Sequence, residues 1–565
     1  MPDFVYCESE LSGVNYMKER QGKIKSSSLP LSCFVYAAGH EDEGVCLLLH
    51  IGKYRIMLDC GLANLEDLLE GDIPPADLVF CSHAHVDHCR GLLQLHRRFS
   101  TLPIYISEVT SKLLPFHWGR ENDLGNLDWC RTLSWRSPVM VAPDLQIEIV
   151  PAGHLPGAAA IIITYITPER SYKVMYTGDF SVSNFQLVEG MSIENLRGLS
   201  PDVLILEGSY GTVRHPHRRL QEKQLMERIN QALAEGRNIL LPVPPIGLGQ
   251  EILKLLRSHH QFTGRDLDIW VDESVAITCD MYLELLTQFP LSVQNFAKHQ
   301  SLFWDERICP RMRRLKHFDN SNSSQQSGIF LVDYQSDLWL YLAGEKDWLI
   351  LLAEHPQEYL HPDSASLSLI KNLSYVTIET YLLTEHSDGR NTTQLVHNLR
   401  PQHVIFVHGS LSYLLELASL EELRNRYQIH SPVQGILVEL PIGDRFVQPK
   451  ALQPVYYEGE INETASEIAI NLPNSISNDS RWQNIADTGI IQAHWQGNEL
   501  IIKGVSQREL LNANSQARIS SDLDCCNRCK YYSDRRCWNR SSPLCGFKVI
   551  PEGYCPVFEA IEENN

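Results

Sequence analysis

The chain has 565 residues, 43% of them hydrophobic and 21% charged, a balance that excludes wholesale disorder. Its length exceeds one ordinary core, so roughly three or four units of ~150 residues are expected. A formal net charge of -20 excludes binding of a polyanion by bulk field, so any nucleic-acid site must be a local basic patch.

Residues 1–29 read as an N-terminal extension. The opening MPDFVYCESELSG lacks the basic-then-apolar order of a secretory signal, and no run approaches the ~18 apolar residues of a membrane span. A soluble, cytoplasmic protein with no membrane partner is the expectation. From about residue 30 to 450, short apolar runs alternate with helical patterns, which predicts a layered α/β architecture. Strands are predicted at Tyr54–Leu58, Leu78–Cys81, Ile147–Val150, Lys173–Tyr176 and Val203–Leu206. These runs lead into Asp59, the cluster His83-Ala-His85-Val-Asp87-His88, His154, Asp179 and Glu207. A helix over Arg218–Gly236 lines up Leu225, Ile229 and Leu233, and Gly236 stops it. Asn238–Leu241 is the next strand, and Pro244–Gln250 (PPIGLGQ) turns into a further helix. Two more strands, Thr377–Leu383 and Val404–Val407, precede His386 and His408.

Ionisable residues at strand ends occupy the rim where an α/β sheet presents its function. Three histidines and an aspartate between His83 and His88 suit zinc-class ions, because neutral imidazole is a good ligand and carboxylate adds charge. In extended chain His83 and His85 point the same way. Asp87 and His88 then turn aside, where they can serve a second ion ~3.5–4 Å from the first.

Further along, 459–480 is crowded with Asn462, Asn471, Asn474, Ser475, Ser477, Asn478, Asp479 and Ser480 and reads as a linker. Within 481–515, Gly489–Val505 holds two β-like runs around Gln496-Gly497-Asn498, a predicted hairpin. Six of the 15 cysteines (Cys525, Cys526, Cys529, Cys537, Cys545 and Cys555) fall in the tail, 516–565. The other nine read as buried thiols rather than a disulfide framework. In the tail, Cys526, Cys529, Cys537 and Cys555, with Cys545 as an alternative, suit a tetrahedral zinc or an iron–sulfur cluster. A unit of ~40 residues needs such a staple to fold. The pattern CKYY…GYCPVF is loosely similar to the cysteine spacing of high-potential iron–sulfur proteins.

The motifs DCG at Asp59, SHAHVDH at Ser82 to His88, AGH at His154 and TGD at Asp179 resemble the four motifs of the metallo-β-lactamase fold. EGSYGT from Glu207, TEHSD from Thr384 and VHGS from Val407 resemble motifs A, B and C of its β-CASP branch, which includes the pre-mRNA 3′-end processing endonuclease and ribonuclease J. The resemblance implies an αββα sandwich built from 30–210 and 381–458, interrupted by a β-CASP insertion at 211–380. It implies two zinc ions: one held by His83, His85 and His154, the other by Asp87, His88 and His408, with Asp179 bridging. Asp59 would orient the histidine loop from behind. Glu207 and His386 would pair as general acid near the leaving oxygen, while water activated by the ions attacks phosphorus in line. Histidine at the motif C position, His408 here, favours RNA. The implied activity is cleavage of single-stranded RNA. A DNA nuclease on the same site and a turnover-impaired nucleic-acid-binding scaffold are the alternatives, and a homodimer is the expected option for assembly.

Departures from the family lie in the insertion. Gly247-Leu248-Gly249 stands where RNA-processing relatives usually carry an arginine, and no Gly/Ser-rich phosphate segment is recognisable at Gly328–Ser336, where Asp333 adds a negative charge. Motif B places Glu385 beside the implied acid. Two basic runs could compensate: Arg214-His-Pro-His-Arg218-Arg219, assigned here to nucleic acid because it follows motif A, and Arg311 to His317.

Overall fold

The computed structural model describes residues 31–40, 43–118, 129–315, 328–342, 347–354 and 369–442. Beyond these it describes 460–463, 468–471, 491–496, 499–504, 526–533, 536–539, 549, 551 and 558–559. The chain forms two compact units, Met1–Ile442 and Gly443–Asn565.

In the first unit, two seven-stranded mixed sheets face each other. One runs, in spatial order, Leu437–Glu439, Leu31–Ala38, Val45–Ile51, Tyr54–Leu58, Leu78–Phe80, Ile104–Ser107, Cys130–Leu133. The other runs Gln428–His430, His403–Val407, Val203–Glu207, Ser171–Tyr176, Ala159–Ile166, Leu145–Pro151, Val139–Ala142. Successive strand residues point to opposite faces. Thus Leu47, Leu49, Ile56 and Leu58 meet Ile147, Ile161, Ile163, Val174 and Ile205 between the sheets. Leu48 and Met57 turn outward to a second core that includes Leu92 and Leu95 of helix Leu92–Arg98. Burial on both faces explains why these strands read as nearly continuous apolar runs.

A third, six-stranded sheet is parallel throughout: Arg311–Leu315, Asp268–Asp272, Ile329–Asp333, Asn238–Val243, Trp348–Ala353, Val376–Tyr381. Helices Arg218–Ala234, Leu248–Ser258 and Glu273–Glu284 bury Leu225, Ile252 and Val275 in one core with Ile239, Ile269 and Leu331 of this sheet. The run expected as a strand to Leu383 stops at Tyr381 and is an edge of this third sheet. His386 is therefore delivered to the site from the third sheet, and not from the sandwich that carries the other site residues.

In the second unit, Ile491–Gln496 and Glu499–Gly504 pair antiparallel. Glu460–Glu463 also pairs antiparallel with Ile468–Asn471, which corrects the linker reading of 459–480 over those residues. Ile461 stands opposite Ile470, an alternation that the surrounding Asn and Ser content concealed. Among the described residues no helix is long and apolar enough to cross a membrane.

Candidate metal centre

Strand register assembles the site. Asp59 leaves its strand in a left-handed conformation (φ 59°), and its N–H donates to the Phe80 carbonyl at 2.8 Å, tying the two strand ends together. His85 occupies the N-cap of the short helix Val86–Cys89, so the chain turns there and sends Asp87 and His88 off the line of His83 and His85. Gly178 (φ 56°) lets the TGD turn lie on this loop, since a Cβ there would stand 2.5 Å from Ser82 Cβ. Parallel pairing of Glu207 with Val407 sets Glu207 beside the turn that carries His408, itself at φ 52°. Gly39 makes room for that turn, because a Cβ at 39 would come within 2.9 Å of His408 Cα.

Asp179 is the centre of the assembly. Its carboxylate lies 3.4 Å from His83 Nε2, 3.4 Å from His88 Nε2, 3.7 Å from His154 Nε2 and 3.4 Å from His408 Nδ1. Potential ligand atoms gather within 4.8 Å in overlapping groups: His83, His85, His154 and Asp179; Asp87, His88 and His408; and Asp179, Glu207, His386 and His408. All the residues assigned to the two ions from the sequence are thus brought together.

The hydrogen bonds behind the rings decide what belongs between them. Asp59 accepts from the Ser82 N–H (2.6 Å), the Ser82 hydroxyl (2.8 Å), His88 Nδ1–H (2.7 Å) and the Tyr176 hydroxyl (2.6 Å). With its proton committed to Asp59, the Ser82 oxygen accepts from His83 Nδ1–H at 2.9 Å. His154 Nδ1–H donates to the Glu385 carbonyl at 2.9 Å. Each of these rings then presents an Nε2 lone pair towards the Asp179 carboxylate, acceptor facing acceptor. His83 Nε2, His88 Nε2 and Asp179 Oδ1 are accordingly buried without a hydrogen-bond partner, a costly state unless a cation sits among them. The donor set fits a pair of divalent ions.

The protonation tendencies of His85, His154 and Asp179 agree. Burial, with His83 as a like-charged neighbour, pulls His85 down to about 3, and burial with His386 and His85 holds His154 well below its ordinary value. Asp179 stays well below the usual carboxylate range: burial opposes this, but His408, His88 and His83 prevail. His88 moves the other way, because Asp179, Asp87 and Asp59 overcome its burial. A metal would replace the proton that those acids hold there.

Tyr176 is a positioning residue that its strand pattern did not reveal. Removing its hydroxyl (Tyr176→Phe) leaves Asp59 one donor short and loosens the histidine loop. Metal affinity is expected to fall roughly 10–100-fold with little change in fold, as read by competition with a chelator.

Next to the donor set, His386 Nδ1–H donates to Glu207 Oε2 at 2.8 Å. Burial alone would depress this imidazole; Glu207, by charge and hydrogen bond, with Asp179 and Glu385, raises it to about 9. Glu207 is fixed in turn by the Phe180 N–H (2.6 Å) and by the Ser209 hydroxyl, whose oxygen also lies 2.9 Å from His408 Nδ1. Ser209 therefore links the acid pair to a metal ligand, a role hinted at only by its place in EGSYGT. Glu385 is buried and pushed up to about 7 by burial. A Cβ on Gly247 would stand 3.1 Å from its Oε1 and 3.7 Å from His85 Nε2, so glycine keeps the space between them open.

His386 opens into a cleft of about 780 Å³ lined by Arg214, His215, His217, Arg219, Arg390, Asn391 and Asn184 among others. Arg214, Arg219 and Arg390 are exposed. Arg218 is not available as the sequence reading supposed. It is buried at 5% exposure, donates to the Thr384 carbonyl, pairs with Glu222 and packs 4.4 Å from the Phe185 ring centre. It braces the wall instead of facing a ligand. In the second basic run, Arg311 pairs with Asp266 and Asp268, Arg313 with Asp268 and Glu306, and Arg314 with Asp280. Those charges are neutralised by their neighbours. Of the proposed tail ligands, Cys526, Cys529 and Cys537 are buried in the second unit, and Cys555 lies outside the described residues.

Residues 54–238 match the family model of the beta-lactamase superfamily domain. The chain is 49% identical over 553 residues to the uncharacterized protein sll0514 of Synechocystis sp., covering 96% of this chain and 98% of that one. It is 28% identical over 234 residues to the probable RNase MJ4 of Methanocaldococcus jannaschii, spanning 38% of this chain and 54% of that protein. Cleavage and polyadenylation specificity factor 73 of Drosophila melanogaster is 25% identical over 433 residues, which span 67% of this chain and 60% of the relative.

Proposed function

Because the chain belongs to the metallo-β-lactamase superfamily and sets a hydrogen-bonded Glu207–His386 pair beside two sets of buried metal donors, we propose that it is a nuclease cleaving single-stranded RNA. The acid pair carries the reading: a carboxylate-held imidazolium next to a metal pair suits a leaving group that must be protonated. Residues 211–380 are read as the β-CASP insertion that clamps the nucleic acid, and the RNase names of the more distant relatives support RNA as the substrate.

His83, His85 and His154 would hold one ion and Asp87, His88 and His408 the other, with Asp179 between them. When bound, two zinc-class ions supply Lewis acidity, making a water more acidic and countering charge on the phosphoryl oxygens. The chain's own residues do the rest. Asp59, through Ser82 and His88, holds the ligand rings in one tautomer. His386 donates a proton from Nε2 to the departing oxygen, and Glu207 keeps Nδ1 protonated and the ring in place. Arg214 and Arg219 engage phosphates along the cleft. Helix Arg218–Ala234 begins there with two arginines and no acidic residue in its first turn. Its own dipole disfavours that arrangement; Arg218 is offset by Glu222 and the Thr384 carbonyl, and a polyanionic ligand favours the exposed Arg219.

The test is cleavage of 5′- and 3′-labelled single-stranded RNA and of matching DNA by the zinc-loaded chain. Preferential cutting of RNA supports the proposal; preference for DNA, or RNA bound and left intact, overturns it. Arg214→Ala with Arg219→Ala is expected to raise KM. The slope of log affinity against log salt should shallow by roughly 0.7 for each phosphate no longer neutralised, as read by RNA-binding titrations at several ionic strengths.

A further inference from the structure

The chemistry above makes no use of Glu251, which is 4% exposed on helix Leu248–Ser258 and faces the loop that follows Asp179. Its Oε2 accepts the Gln186 N–H at 2.6 Å, and its Oε1 accepts the Leu187 N–H at 2.9 Å. Two successive N–H groups thus converge on the two oxygens of one side chain, a match that neither an amide nor a hydroxyl reproduces. The Gln186 side chain donates in turn to Glu222 Oε1 at 3.0 Å, and the Phe185 ring packs against Arg218. Helices of the third sheet therefore grip the tip of a loop that belongs to the sandwich.

That loop and the proton donor share their supports. At the root of the loop, Asp179 stands among the metal donors and the Phe180 N–H holds Glu207. The Phe180 carbonyl accepts the Ser387 N–H at 2.9 Å, one residue beyond His386. Val182, Ser183 and Asn184 line the cleft together with His386. From the third sheet, Arg218 donates to the Thr384 carbonyl, and Gln221 Oε1 accepts the Thr384 N–H at 2.9 Å. Arg218 thus touches both the loop and the segment that delivers His386. Building on the nuclease reading, we propose that Glu251 is a positioning residue that fixes the third sheet, and with it His386, against the loop that carries Asp179. A carboxylate kept in this seam is costly. Burial pushes Glu251 up to about 7; Arg218 and the two N–H groups oppose the rise, and Glu222 adds to it. Glu385 and Tyr282 also interact with its charge, as does Lys254, whose ammonium sits 3.6 Å from the Phe296 ring centre. When the seam opens, the carboxyl meets water and returns to its ordinary range. Proton binding therefore favours the joined state, and opening should increase as pH rises towards about 7 and level off above it.

The full-length, metal-loaded protein is compared with Glu251→Gln, whose amide turns a donor towards one of the two N–H groups, and with the milder Glu222→Ala. Single-turnover cleavage of single-stranded RNA is set against hydrolysis of a uridine p-nitrophenyl phosphodiester, whose leaving group needs no proton. In Glu251→Gln the rate on RNA should fall roughly 10–100-fold, the effect of a small misplacement of a reacting group. Its rate on the ester, metal content and circular dichroism should change little. Glu222→Ala should show the same selectivity at smaller amplitude. Equal losses on both substrates, or no loss on RNA in either variant, overturn the proposal. Amide exchange over Phe185–Val188, corrected for the intrinsic rate, gives a readout free of catalysis. Protection in the wild type should decline between about pH 5 and 7, and in Glu251→Gln it should not depend on pH. Identical pH dependence in the two proteins overturns the seam itself. A wild type that cuts no RNA overturns the nuclease reading and the donor's role with it, while exchange still decides whether Glu251 joins the two parts.

Discussion

Asp179→Ala is expected to empty both halves of the metal site and to lower RNA cleavage by roughly 10³-fold or more. The carboxylate lies within 4 Å of His83, His88, His154 and His408 together. Without it two cations would face each other across neutral rings, and the several kcal/mol they contribute to countering charge would be lost, at tenfold in rate per 1.36 kcal/mol. Asp179→Asn, which keeps the volume, should behave nearly as badly, because an amide neither bridges nor neutralises the ions. Metal content by mass spectrometry and single-turnover cleavage are the measurements. A variant that keeps two ions and cuts RNA normally would show that the metals sit elsewhere.

The second large effect concerns the proton. His386→Gln is expected to reduce kcat by roughly 10²–10⁴-fold with the metal content unchanged, which separates it from the Asp179 variants. Glu207→Gln offers a finer test. In the native chain the Glu207 carboxylate raises the His386 imidazole to about 9 against the pull of burial. An acid works only while protonated, so the rate should fall as pH rises through that pKa. Removing the carboxylate charge lowers the pKa, and the alkaline limb of the pH–rate profile should move to lower pH in Glu207→Gln. A limb that stays in place would assign it to another group. An RNA analogue whose leaving group needs no proton should recover most of the rate in His386→Gln, and failure to recover would deny the proton-donor role.

Much of the site was legible because its residues sit at strand ends, where short apolar runs stop and ionisable side chains begin. The His83-to-His88 segment announces ligands by composition alone. What was illegible depends on long-range packing. Tyr176 closes an apolar strand and reads as core, yet its hydroxyl reaches Asp59 from 117 residues away. Arg218 shares a basic run with Arg214 and Arg219, and only its contacts with Phe185 and Thr384 show that its face turns inward. The pairing of Glu460–Glu463 with Ile468–Asn471 was hidden because the reading weighed the Asn and Ser content above the alternation of isoleucines. The run before His386 was recognised as a strand, but membership of the third sheet could not be read from it, since several sheets were equally open to a short apolar stretch.

That membership bears on how the protein is made. A nascent chain that has emerged as far as Asp179 already holds His83, His85 and His154, the first set of donors. The proton donor and the final ligand, His408, are still untranslated, and between them and Glu207 stands the whole parallel sheet from Asn238 to Tyr381. For the nuclease proposed above, an unfinished polypeptide held beside the messenger that encodes it would lack the parts needed to cut.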